Sequence, residues 1–182
     1  YAFVGWYTNN TYAGEQITAE TVVSETTDRT LYAKWTPNVY TVTFDAQGGT
    51  DPVPSSNTVT FAAAYGPLAT TTRAGFAFAG WFTAADAAVT AGTVVTATSN
   101  HTLFAKWTPN AVLTVSFDPQ GGTVPVPPAI TVTNGLAYGP LAATARPGFT
   151  FAGWWTNTAF AGAAVTAATV VTAASNHTLY AH

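Results

Sequence analysis

The strongest constraint on this chain is that it repeats itself. Thr41-Val42-Thr43-Phe44-Asp45-Ala46-Gln47-Gly48-Gly49-Thr50 returns 73 positions later as Thr114-Val115-Ser116-Phe117-Asp118-Pro119-Gln120-Gly121-Gly122-Thr123. Tyr65-Gly66-Pro67-Leu68 returns as Tyr138-Gly139-Pro140-Leu141 at the same spacing. The block Gly75-Phe76-Ala77-Phe78-Ala79-Gly80-Trp81 returns as Gly148-Phe149-Thr150-Phe151-Ala152-Gly153-Trp154, and the chain opens inside a third version, Tyr1-Ala2-Phe3-Val4-Gly5-Trp6. A closing segment, Leu31-Tyr32-Ala33-Lys34-Trp35, matches Leu103-Phe104-Ala105-Lys106-Trp107 and, in part, Leu179-Tyr180-Ala181-His182. The expected organisation is the back half of a first repeat over 1–38, a complete second repeat over 39–110 and a nearly complete third over 111–182. Each end of the chain reads as a cut through a repeat.

A period near 73 exceeds the roughly 20 to 50 residues of solenoid units, so each repeat is expected to be a small module with its own core. Tyr40, Val42 and Phe44 alternate with Thr41 and Thr43, and Leu31, Ala33 and Trp35 alternate with Tyr32 and Lys34. That period of two predicts half-buried strands. Gly48, Gly49, Gly121 and Gly122 are placed for turns, with Asp45 and Asp118 as turn formers, and Pro37 and Pro109 punctuate the joints. Between the Gly-Trp and Val-Val pairs, the second repeat is three residues shorter than the others, which marks a surface loop. The expectation is a mainly β chain with at most a short helix in each module.

So small a module is marginal unless large side chains fill its core. The candidate core is Phe44, Tyr65, Phe76, Phe78, Trp81, Phe104 and Trp107 in the second repeat. Its counterpart in the third is Phe117, Tyr138, Phe149, Phe151, Trp154 and Tyr180. A stacking platform for sugars or single strands is the competing reading of these rings. Recurrence at a fixed register is what repeated core packing demands.

Composition narrows the function. Only 7% of residues are charged and the net charge is −3, with five scattered Lys and Arg, so nothing attracts a nucleic-acid backbone. No cysteine is present, which removes disulfides, thiolate metal sites and cysteine nucleophiles. The uncharged stretch from Pro147 to Asn176 is interrupted by Gly153, Asn157, Gly162 and many Thr, so it is no membrane span. The chain begins without Met or a basic-then-apolar leader, as a mature product or a piece of a longer protein would.

Catalysis finds no constellation. His101 and His177 share a repeat position and read as turn residues, while Asp28-Arg29 stands there in the first copy. Asp45 and Asp118 offer one carboxylate per turn, against the six or more oxygens of a calcium cage. No metal or cofactor is expected. Arg73 and Arg146 read as covers for the core edge, their stems on apolar surface and their heads stacked on a ring. The Asn-x-Thr sequons at Asn9, Asn100 and Asn176 are common by chance in a Thr-rich chain.

At these residues the sequence resembles the Listeria-Bacteroides repeat, the type of the internalin B B-repeat. The shared elements are Phe-Asp-x-x-Gly-Gly (Phe44 to Gly49), Tyr65-Gly66, Thr72-Arg73-Ala74-Gly75-Phe76-Ala77-Phe78-Ala79-Gly80-Trp81 and the closing Leu103 to Trp107. The resemblance implies a β-grasp-like module on the outside of a bacterial cell, serving as spacer, stalk or interaction domain. It supplies no catalytic residue.

The leading functional expectation is therefore a non-catalytic extracellular structural array, a stalk, spacer or self-associating filament component. The alternative is an adhesin-type module that recognises a host protein or glycan, with avidity raised by repetition. Expected partners are other copies of the chain or adjacent repeats, with no nucleic acid and no membrane insertion. Lys occurs only at Lys34 and Lys106, so strand edges are weakly defended against self-pairing. The aromatics of residues 1–36 would lie exposed unless a front half were supplied, either by residues upstream or by strands of a neighbouring molecule.

Overall fold

The computed structural model describes all residues 1–182, and they form strands and turns with no helix. β1 (Ala2–Tyr7) and β2 (Tyr32–Thr36) make a two-stranded antiparallel sheet. β3 (Val39–Asp45), β4 (Ser56–Thr60), β5 (Phe76–Phe82), β6 (Ala88–Val89) and β7 (His101–Pro109) make a five-stranded sheet in the order β4-β3-β7-β5-β6. β8 (Val112–Asp118), β9 (Ala129–Thr133), β10 (Trp154–Trp155) and β11 (His177–Ala181) make a four-stranded sheet in the order β10-β11-β8-β9. Two compact units emerge, one of residues 1–47, 51–71 and 80–105, the other of residues 48–50, 72–79 and 106–182.

Alternation places the core. On β3, Val42 and Phe44 turn inward while Thr41 and Thr43 face solvent; on β8, Leu113, Val115 and Phe117 do the same. The opening strand of each full repeat pairs in parallel with the closing strand. Val42 faces His101 and Asp45 faces Phe104, and in the third repeat Val115 faces His177 and Asp118 faces Tyr180. Parallel neighbours need a crossover of about a dozen residues or more. The hairpin strand, the aromatic block and the loops between them supply it.

The same positions are buried in both repeats. Trp81 and Trp154 are each 2% exposed, and Leu103 and Val95, like Leu179 and Val171, are fully enclosed. Leu113, Phe117, Val132, Tyr138 and Val165 complete the third repeat's core around Trp154. The length difference falls in a surface loop. Asn9 and Asn157 bracket the longer version by bonding Ala13 and Ala161 through both side-chain atoms, and Thr83 accepts from the Ala87 amide in the shorter one.

Three expected core residues lie elsewhere. Phe78, Phe149 and Phe151 are exposed, Phe149 at 67%, and Phe76 and Trp107 are half-buried. The parallel ladders end at the Asp45–Phe104 and Asp118–Tyr180 pairs, so Trp107 lies beyond the first of them, and Phe149 and Phe151 precede β10 in residues outside any strand. Phe78 packs edge-on against Trp107 at 5.3 Å, and Phe3 against Trp35 at 5.2 Å.

Truncating Trp81 or Trp154 to Ala is expected to cost about 3–5 kcal/mol, because each would leave a large buried cavity. Trp6→Ala, at a position 46% exposed, should cost under about 1.5 kcal/mol. Thermal unfolding of the three variants checks the ranking.

Candidate functional site

Each full repeat is locked where its front half meets its back half. The Trp81 indole lies 4.8 Å from the Phe44 ring at 59°, and Trp154 lies 4.7 Å from Phe117 at 57°. A buried indole N–H needs an acceptor. Trp81 Nε1 donates to the Ala69 carbonyl at 2.8 Å and Trp154 Nε1 to the Ala142 carbonyl at 3.0 Å. One side chain thus holds a strand ring and a loop carbonyl together.

A second contact crosses the same seam. The Tyr65 hydroxyl meets His101 Nε2 at 2.7 Å, and Tyr138 meets His177 Nε2 at 2.6 Å. The Ser99 and Ser175 carbonyls, 3.1 and 3.2 Å from Nδ1, can only accept, so Nδ1 donates to them, and in that tautomer Nε2 accepts from the tyrosine. Burial pushes both phenols above the usual tyrosine range, since removal from water disfavours the charged form. Beside them, Asn100 and Asn176 accept the amide protons of Thr41 and Thr114 at 2.8 Å, clamping the start of the opening strand.

These pairs correct the reading of His101 and His177 as turn residues: each is the partner of a front-half tyrosine. A signal existed in the sequence. Tyr and His recur together in the two complete copies. The sequon residues are likewise structural, since Asn9, Asn100 and Asn176 all use their side chains to fix backbone.

The turn residues form a third constellation. Asp45 and Asp118 accept from the amides of Gln47 and Gln120 at 2.9 Å, the side-chain turn their short carboxylates favour. Gly48 and Gly121 follow at φ +85°, a left-handed conformation that suits glycine, and Gly49 and Gly122 continue each bend. Arg146 fills the space above Gly121. Its guanidinium would stand 3.5 Å from a Cβ there, donates to the Gln120 carbonyl at 3.0 Å and covers the Phe149 ring at 4.3 Å. Arg73 repeats the arrangement over Gly48 and Phe76, with 4.1 Å to the ring. A Cβ on Gly122 would come 2.9 Å from the Ala145 carbonyl oxygen, so that turn leaves no room for a side chain.

In the third repeat the exposed rings border a groove of about 420 Å³ lined by Arg146, Phe149, Phe151, Phe160 and His182. Phe160 stacks on His182 with centroids 4.1 Å apart and planes at 3°. With Phe149 and Phe151 open to solvent, the groove offers aromatic faces and one guanidinium.

The sequence model of the Listeria-Bacteroides repeat domain matches residues 1–34, 40–106 and 114–182. Among curated relatives, the "Putative membrane protein" of Evansella cellulosilytica is 41% identical over 97 residues, 52% of this chain and 14% of that protein. The "Putative Gly-rich membrane protein" of the same organism is 34% identical over 126 residues, 68% of this chain and 14% of that protein. The chain thus spans about a seventh of each relative. No solved structure matches. No helix is long and apolar enough to cross a membrane.

Tyr65→Phe and Tyr138→Phe should each cost about 0.5–1.5 kcal/mol, because the histidine's Nε2 loses its donor. The phenol shifts set a pH dependence. With the folded value above the unfolded one, stability is intact below about pH 10 and falls as the unfolded chain ionises first. Melting temperatures followed from pH 9 to 12 should show a decline that is shallower in the double Phe variant. Gly121→Ala should cost about 1–2 kcal/mol from the left-handed backbone, measurable by urea titration.

Proposed function

Because the chain belongs to the Listeria-Bacteroides repeat domain family, we propose that it is a non-catalytic structural array at a bacterial cell surface, a stalk or spacer whose partners are adjacent repeats. One observation carries this reading: the strands at which the chain enters and leaves a full repeat lie side by side and parallel. Tension along the polypeptide pulls β3 and β7 past one another. The ladder hydrogen bonds between them are then loaded together, in shear, instead of one at a time. The Trp81–Phe44 and Tyr65–His101 contacts cross the same seam and resist the same displacement. The parallel pair also supports the β-grasp-like arrangement that the resemblance implies.

The relatives' names support a membrane-associated setting, and a chain that spans 14% of each fits a segment of a long surface protein. A binding role is the second reading, favoured by Phe149 and Phe151 standing exposed beside Arg146 in the third repeat's groove.

Single-molecule pulling tests the stalk. Two separate force peaks are expected, each releasing roughly 230 Å of chain for a repeat of 67 or 69 matched residues at about 3.4 Å per residue. Extension without peaks would overturn the reading. Specific capture of the chain by immobilised glycans or host proteins, lost in Phe149→Ala, would favour the binding role instead.

A further inference from the structure

We infer that the turn after β9, residues 134–136, is a docking surface for the preceding repeat, and that Gly75 and Asn110 are what it holds. The linkers between repeats differ by one residue. Trp107-Thr108-Pro109-Asn110-Ala111-Val112 stands where the preceding joint has Trp35-Thr36-Pro37-Asn38-Val39. Hydrogen bonds identify the additional residue. The Phe61 amide donates to the Asn38 carbonyl and the Asn134 amide to the Ala111 carbonyl, so Ala111 takes the place of Asn38 and Asn110 is the extra one.

That extra residue is bonded on both sides. Its amide donates to the Gly75 carbonyl at 2.9 Å, at the start of the second repeat's aromatic block. Its side-chain nitrogen donates to the Asn134 carbonyl at 3.0 Å, in the third repeat's turn. A carbonyl can only accept, so the nitrogen and not the oxygen of the side-chain amide faces it. The residues around Asn110 are fitted to it. Asn134, Gly135 and Leu136 hold the places that Phe61, Ala62 and Ala63 hold in the second repeat. A Cβ on Gly135, such as Ala62 carries, would stand 3.1 Å from Asn110 Nδ2, so glycine keeps the approach clear. The Leu136 side chain, longer than that of Ala63, reaches the bare backbone of Gly75, where a Cβ would meet its Cδ1 at 3.4 Å.

Gly75, Asn110, Asn134 and Leu136 all lie in one compact unit, which groups residues 72–79 with the third repeat. The same two places meet at the preceding joint through different chemistry. Tyr1 stands where Phe76 does and Phe61 where Asn134 does, and their rings meet edge-on at 5.4 Å. One turn is closed by a pair of rings, the next by an amide and a leucine, so each turn is matched to the repeat before it. This inference deepens the reading in which adjacent repeats are partners, and it can fail alone, because repeats on loose linkers would still give two force peaks.

Nitrogen relaxation and amide exchange on the full chain test it. Asn110 and Ala111 should be as ordered as the strands, with order parameters of about 0.85. Leu136→Ala, made in the third repeat, should speed exchange of the Asn110 and Phe76 amides, which donate to Gly75 and Arg73 in the second, by about threefold to tenfold. Ala63 occupies the same place in the second repeat, so the third keeps its fold, and an unchanged Leu179 amide reports this. Asn110→Asp sets a carboxylate against the Asn134 carbonyl and should speed exchange at Phe76 by a similar factor. Order parameters below about 0.6 at Asn110 and Ala111 overturn the proposal. So does exchange at Phe76 that neither variant alters, for then nothing in the third repeat supports the second.

Discussion

The rest of each repeat depends on one indole. Trp81 and Trp154 belong to the back half, yet the ring that packs on them and the carbonyl that accepts their N–H come from the front half. Aromatic pairs contribute about 0.5–1.5 kcal/mol beyond the area they bury. In a module of this size that contact is a sizeable share of net stability. In residues 1–36 the equivalent Trp6 is 46% exposed and lies on a two-stranded sheet.

Much of this was legible in the sequence because a repeat supplies its own control. Period-two alternation around Val42 and Phe44, the turn at Asp45 and Gly48, and the loop-length difference after Trp81 all correspond to features of the fold. The stacking of Arg73 and Arg146 on phenylalanine rings was legible too, since a long cationic side chain beside a Phe and a Gly has few other places to rest. Alternation within a strand gives the face on which a residue lies. It does not say how far the covering strand extends. Nor does it say where strand pairing stops: Trp154 lies opposite Ala181 on β10 and is buried, whereas Phe151, three residues earlier, lies outside the strand and is exposed.

The histidines illustrate a different limit. A lone His beside a strand carries no periodic signal, and its partner Tyr65 lies 36 positions away. The information was in the joint recurrence of both residues in the two complete copies, which is a statement about pairs and not about either position.

Threonine completes the argument about stability. With so few charged groups, the surface is held by hydroxyls: Thr43 meets Thr102 at 2.8 Å across β3 and β7, Thr90 meets Thr93 at 3.2 Å, and Thr166 meets Thr169 at 3.1 Å. Thr144 donates to the Thr123 carbonyl at 2.7 Å. Salt screens exposed ion pairs but leaves neutral hydrogen bonds and dispersion largely untouched. β-Branched threonine also suits the pleated strands in which Thr43 and Thr102 lie. A repeat built this way draws its cohesion from aromatic packing inside and hydroxyl pairs outside, interactions that depend little on ionic strength.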